Sequence, residues 1–330
     1  MRLGIAGCGR IAERGYVPAA LAAEGVTIAG FADPDGGRLE HCRELWERGS
    51  GEDAAAVAGA GELLESPLDL LVVAAPAAHH LALAEEAAAA GVRSLVEKPP
   101  APDLAGAERL AALDPSPFLA FNRRFLQGTE LREAIPDEGW LELDLELRFR
   151  RDAWDAHESR DEALLDAGIH LIDLACHLAS AEPIAVRRAR VEPERAELEL
   201  ELSRGRARIE CATDRRHRET VVIRDRAGKL VARTAWGGVR SRFAALGRPD
   251  PLVLSLQRQL EAIRTSFPEL HQLVHPADRQ VDAVREVGGV SLLATAAEGI
   301  KAMAVVEAAR RSAALNGAEV TVAPTAGAAS

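Results

Sequence analysis

The chain has 330 residues, 48% of them hydrophobic, and a formal net charge of −11. Such a length suggests about two domains of roughly 150 residues and a core that needs neither disulfide nor metal. The acidic balance disfavours a dedicated nucleic-acid binder, which carries a basic footprint, and the longest apolar stretches fall far short of the roughly 20 residues that span a bilayer.

Arg2 opens a strand with no charged leader or cleavage site ahead of it, so a cytoplasmic protein is expected. Cys8, Cys42, Cys176 and Cys211 are widely spaced, without the paired motif of a zinc site or disulfide framework. No metal is expected. Only three of the 40 basic residues are lysines, Lys98, Lys229 and Lys301, so each lysine is informative.

Over the first 120 residues, strands and helices alternate. Short apolar runs at 2–6, 26–32, 69–75, 92–96 and 118–121 are separated by helical segments at 11–24, 38–48, 79–90 and 104–112. Strands of continuous apolar character between helices predict a parallel sheet covered on both faces, a doubly wound α/β domain. After about Phe121 the pattern changes. Residues 141–150 and 197–202 alternate strictly between apolar and charged, as strands with one wet face do. Further strands are predicted at 208–211, 220–224 and 230–234, with a hairpin turn at 226–229, so the second half contains a largely antiparallel open sheet. Helices at about 163–178, 252–274 and 294–315 accompany it, and the segment after Thr321 has the composition of a disordered tail.

Three constellations carry chemistry. The first, Gly4-Ile5-Ala6-Gly7-Cys8-Gly9-Arg10-Ile11-Ala12, ends one strand and opens a helix as G-x-G-x-x-A. Gly7 permits the tight turn, Gly9 lets a pyrophosphate approach the backbone, and Ala12 allows close helix–strand packing. Gly7, Gly9, Arg10 and Ile11 are the candidate phosphate contacts, at the positive end of a helix. Asp33, 21 residues beyond Ala12 at the end of the second strand, can accept both ribose hydroxyls and repels a 2′-phosphate. This favours NAD over NADP.

The second constellation is Ala75-Pro76-Ala77-Ala78-His79-His80 together with Glu97-Lys98-Pro99-Pro100, both at the C-terminal ends of strands, where open α/β sheets bind ligands. His79 and His80 read as a helix-start pair. A partly desolvated Lys98 can stabilise a developing alkoxide; the alternative is a surface lysine paired with Glu97. The third is Asp166-Ala167-Gly168-Ile169-His170, whose carboxylate and imidazole, spaced i, i+4, share a helix face. A His held by a carboxylate can act as general base near neutral pH, or the two can be a structural pair under the sheet. Gly168 costs about 1 kcal/mol of helix propensity relative to Ala, which points to a close approach by ligand or backbone. Ser159-Arg160-Asp161-Glu162 has capping-box spacing for this helix.

In this order and spacing, G-x-G-x-x-A, Glu97-Lys98-Pro99, Phe121-Asn122-Arg123-Arg124, Asp166-x-Gly168-x-His170 and the closing helix around Glu298 and Glu307 resemble the Gfo/Idh/MocA family over essentially the whole chain. The resemblance implies an N-terminal Rossmann domain (1–121), an α+β domain for substrate binding and oligomerisation (122–322) and a tail (323–330). It implies an NAD(P)-dependent oxidoreductase that interconverts a secondary alcohol and a ketone on a sugar, sugar nucleotide or cyclic polyol. Carried over, His170 is the general acid/base, Lys98 hydrogen-bonds the reacting oxygen, and Asp166 orients His170 or binds a neighbouring hydroxyl. Arg123 matches a position that touches substrate, and Ala75, Pro76, His80 and Glu97 line the nicotinamide side.

Two departures stand out. Ala75-Pro76-Ala77 replaces the family's Thr-Pro-Asn, and Asp161-Glu162 replaces a Gly pair. The competing reading is a non-catalytic cofactor-binding regulator with the same fold. Relatives often dimerise by stacking the outer faces of their second sheets, which for this chain implies a homodimer or tetramer, the alternative being a solvated face. Here that face carries Glu142, Asp144, Glu146, Glu197, Glu199 and Glu201, which need partners such as Arg206 and Arg208 if it is to be covered.

Overall fold

The computed structural model describes residues 1–151, 161–237, 250–266, 286–287 and 290–323. The chain divides into two compact units, one made of Met1–Phe125, Asp250–Glu286 and Ser291–Ala296, the other of Leu126–Pro249, Val287–Val290 and Ala297–Ser330.

In the first unit, β1 (Arg2–Ala6), α1 (Val17–Ala22), β2 (Thr27–Ala32), α2 (Gly36–Ser50), β3 (Ala55–Val57), α3 (Ala60–Leu63), β4 (Leu70–Val73), α4 (Ala77–Ala89), β5 (Arg93–Val96), α5 (Leu104–Ala111) and β6 (Phe118–Leu119) follow in alternation. The strands stand in the order β3-β2-β1-β4-β5-β6, all parallel, with the strand Ala294–Thr295 added antiparallel to β6. Continuous apolar runs make this possible, since a central strand such as Leu70-Leu71-Val72-Val73 is fully buried on both faces. The order reverses between β1 and β4, and a crevice at such a switch point is where ligands bind. The sequence boundary after residue 121 lies close to the first crossing between units, but the chain then returns. The helix Pro251–Ser266, assigned from sequence to the second domain, belongs to the first unit. Leu256, Leu260 and Ile263 form its buried face, and it packs on α1. Composition announced the helix but not which core would receive it.

In the second unit, α6 (Thr129–Ala134), β7 (Leu141–Arg150), α7 (Ile169–Ala179), β8 (Pro183–Glu192), β9 (Arg195–Leu202), β10 (Gly205–Ala212), β11 (Asp214–Asp225) and β12 (Leu230–Gly237) precede the long helix Ala296–Ala314 and the strand Val320–Thr321. The sheet order is β12-β11-β7-β10-β9-β8 followed by Val320–Thr321. Only β7 and β10 run parallel; the other neighbours are antiparallel. The predicted turn joins β11 to β12, with Gly228 at φ 81. Leu141, Leu143, Leu145 and Leu147 of β7 point into the core, where α7 covers β7 and β10.

The opposite face carries the charges read from the sequence, and their partners come from the same chain. Arg206 meets Glu142 at 2.7 Å, Arg208 meets Glu197 at 2.7 Å, Arg224 meets Asp144 at 2.8 Å and Arg187 meets Glu201 at 2.6 Å. The parallel pairing sets Arg206 directly opposite Glu142. The capping-box residues Ser159 and Arg160 and nearly all of the expected tail lie outside the described residues, as do 267–274 of the predicted helix. Among the described residues no helix is long and apolar enough to cross a membrane.

Candidate active site

The nucleotide end of the first unit is built on the turn after β1. Gly7 has φ +100, and a Cβ there would lie 2.6 Å from the backbone of Ala74 and Ala75. No residue with a side chain fits. A Cβ on Gly9 would meet nothing within 4 Å, so this glycine leaves open space in front of the helix start. The N–H groups of a helix's first turn have no intrahelical acceptor, and the turn therefore suits a pyrophosphate. Arg10 turns its guanidinium to Glu13 at 2.8 Å.

Asp33 is 6% exposed and does more than await a ribose. Its Oδ2 accepts the Cys8 N–H at 2.8 Å, and its Oδ1 accepts the Asp35 N–H at 2.8 Å and Arg38 at 3.1 Å. The carboxylate thus braces the glycine turn, and Arg38, which the sequence did not single out, is its ion-pair partner. The bond to Asp33 raises the Arg38 pKa.

The other end of the crevice is a loop held by buried polar groups. His80, at the start of α4, is 1% exposed; Nε2 lies 2.7 Å from the Ala75 carbonyl and Nδ1 2.9 Å from that of Pro99. It joins the end of β4 to the loop after β5. Burial lowers its pKa, while the two carbonyls pull the other way. Glu97 is also buried. Its Oε1 accepts the Tyr16 hydroxyl at 2.8 Å and its Oε2 the Lys98 N–H at 3.2 Å. Burial raises the Glu97 pKa, opposed by the Lys98 charge and the Tyr16 bond. Lys98 itself is half-buried, and the Lys98–Pro99 bond is cis. Beyond β6, Arg123 is half-buried and Arg124 is 1% exposed.

In the second unit, the stretch read as one α-helix begins as a π-turn. Leu164–Gly168 is wound with the Ile169 N–H bonded to the Leu164 carbonyl, and α7 follows. A π-turn departs from the α-helical register assumed for i, i+4, and such turns are frequent at functional sites. Asp166 sits in it and is held by Arg151 from the end of β7, with Nε at 3.1 Å and a terminal nitrogen at 2.8 Å from Oδ2. Arg151 was not foreseen; it also donates to the Asp161 carbonyl. His170 is 6% exposed, and Asp173 and His177 further along α7 are buried as well. Gly168 is explained by packing within the unit, because a Cβ there would lie 2.9 Å from Leu164 and 3.2 Å from the Cys211 sulfur. The four cysteines are free thiols. Among the described residues no group of three or more His, Cys, Asp or Glu could hold a metal.

Residues 1–116 match the model of the Gfo/Idh/MocA oxidoreductases, a family with an NAD-binding Rossmann fold. The matched residues all lie in the first unit. Over 187 residues the chain is 32% identical to YceM of Salmonella typhimurium, assigned to the oxidoreductases, covering 55% of this chain and 57% of that protein. The aligned part is thus little more than half the length of that relative. Two solved structures share the fold of the whole chain. The scyllo-inositol dehydrogenase of Lactobacillus casei, with bound NAD(H) and scyllo-inositol, has a TM-score of 0.72 at 16% identity, over 98% of this chain and 99% of that one. The WlbA dehydrogenase of Bordetella pertussis, in complex with NADH and UDP-GlcNAcA, has a TM-score of 0.67 at 17% identity, over 98% and 99%. Glu162, one of the two carboxylates ahead of α7, pairs with Arg310 at 2.6 Å inside the second unit.

Proposed function

We propose that the protein is an NAD-dependent oxidoreductase that interconverts a secondary alcohol and a ketone on a cyclic polyol, sugar or sugar nucleotide. The observation that carries this reading is the convergence, at the C-terminal edge of one parallel sheet, of the Gly7–Gly9 turn, Asp33 and Lys98, whose backbone N–H is held by the buried Glu97 carboxylate. The ligands of the two structural neighbours support the substrate class.

NAD, when bound, supplies the hydride acceptor or donor. The glycine turn receives the pyrophosphate, and Asp33 meets the adenosine ribose while disfavouring a 2′-phosphate. Ala75, Pro76, His80 and Glu97 border the nicotinamide. The Lys98 ammonium donates to the reacting oxygen and steadies negative charge as it develops there. His170 accepts the carbinol proton in oxidation and returns it in reduction. Asp166, pinned by Arg151, orients His170 or binds a neighbouring hydroxyl, and Arg123 contacts substrate.

The test is a panel of inositols, aldoses and sugar nucleotides with NAD and NADP, followed by nicotinamide absorbance. Turnover with NAD on one class is the expected result. NADH binding without turnover across the panel identifies a cofactor-binding regulator instead.

A further inference from the structure

The chain has one tyrosine, Tyr16, and the mechanism above does not use it. Its side chain is fully buried. A phenol with no partner there would cost the desolvation of its hydroxyl, and Phe would fill nearly the same volume. The hydroxyl instead donates to Glu97 at 2.8 Å, across 81 positions of sequence.

Local backbone geometry accompanies this contact. Ala12–Tyr16 is a π-turn, closed by the Val17 N–H on the Ala12 carbonyl, and the wider turn changes which side chains follow the sheet-facing stripe. Tyr16 is its last residue, on the same helical segment that opens at the glycine turn. At the receiving end, both oxygens of Glu97 are engaged, Oε1 by Tyr16 and Oε2 by the Lys98 N–H. Fixing the carboxylate therefore fixes the peptide from which the Lys98 side chain departs. His80 holds the next residue, Pro99, at its carbonyl.

We infer that Tyr16 is a positioning residue for Lys98, acting through Glu97, and that it couples the dinucleotide-binding turn to the reacting end of the crevice. The inference rests on the reading of Lys98 as the group that meets the reacting oxygen. Burial raises the pKa of Tyr16, and the adjacent Glu97 carboxylate raises it further. The phenol thus stays a donor, which the arrangement requires.

The chain's three lysines make the test direct. Reductive methylation of the full-length protein with ¹³C-formaldehyde gives a small set of dimethyl-lysine resonances, and Lys98 is assigned by its loss in Lys98→Arg. In Tyr16→Phe, the Lys98 resonance and its response to NADH change, while those of Lys229 and Lys301 stay in place. With any substrate found in the panel, kcat falls roughly 10- to 100-fold, the scale of one hydrogen bond to a charged group, and KM moves little. Adding Tyr16→Phe to Glu97→Gln then costs little more. Should Tyr16→Phe fail to fold, Glu97→Gln removes the charge from the other end of the same link and is read by the same resonance. A folded Tyr16→Phe protein with an unmoved Lys98 signal overturns the inference, as does full additivity with Glu97→Gln. Unchanged turnover in Lys98→Ala, beside a Lys98 signal that moves in Tyr16→Phe, overturns the functional reading of Lys98 alone.

Discussion

The loop around Lys98 and the outer face of the second sheet both rely on polar contacts, yet the two regions differ in what those contacts can do. On the outer face, arginines and carboxylates pair in the open. Arg206 keeps 66% of its side-chain exposure and Glu142 34%, so water and salt compete for both. Around Lys98, the contacts of Glu97 with Tyr16 and of His80 with Pro99 are buried and join separate elements, 81 and 19 positions apart. Glu97 meets Tyr16 of the first helical segment, and His80 lies against carbonyls of two strand ends. A surface lattice of ion pairs is redundant and tolerant, whereas a buried bond has no solvent to replace it.

The contrast can be broken most severely at Lys98. Lys98→Ala is expected to lower kcat roughly 10²- to 10³-fold, the usual scale for removing one stabiliser of developing charge, while NADH binding measured by fluorescence persists. Gly7→Ala comes next. A methyl at φ +100 against the Ala74 and Ala75 backbone costs on the order of 3 kcal/mol, read as a lower Tm and the loss of NADH binding.

Glu97→Gln sharpens the comparison through pH. Burial raises the folded pKa of Glu97, so the folded state holds a proton that the unfolded state releases first. Its contribution is therefore fully present below the ordinary glutamate pKa of about 4.3 and is lost as pH rises through the folded value. The Tm of the native protein should fall relative to Glu97→Gln across that window. A difference in Tm that stays flat with pH would contradict the buried carboxylate. The smallest effect is expected on the outer face, where a double-mutant cycle of Arg206→Ala and Glu142→Ala should give a coupling of about 0.2–1 kcal/mol that shrinks with added salt.

Much of this was legible in the sequence, and the reasons are physical. Apolar strands buried on both faces, glycines that only a tight turn explains and prolines that end strands are local signals, and they placed Gly7, Asp33, Pro76, Glu97 and Lys98 at the ends of parallel strands. The partners of the site residues were less legible, because no local pattern marks them: Tyr16 meets Glu97 across 81 positions, and even Arg38, five residues from Asp33, has no spacing signal of its own. Tyr16 in a helix reads as core, Arg38 as a surface cation, and Arg151 as one arginine of a charged run; their bonds to Glu97, Asp33 and Asp166 emerge only in the fold. The strand β8 escaped because its Arg187-Arg188-Ala189-Arg190 segment breaks the alternation, with Arg188 at φ 52 and a register shift against β9. The π-turns at Ala12–Tyr16 and Leu164–Gly168 leave no mark in composition, so their neighbours were assigned to ordinary α-helical faces.

The return of the chain to the first unit has a practical side. A fragment ending at residue 121 would keep every glycine and acid of the nucleotide site, yet it would lack the helix that carries Gln259, whose amide donates to the Leu119 carbonyl at 3.1 Å, and the strand that closes β6. Its last strand would become a bare edge, ready to pair with another copy. Expressed alone, the nucleotide-binding half would be prone to self-association; its solubility depends on residues that arrive more than a hundred positions later.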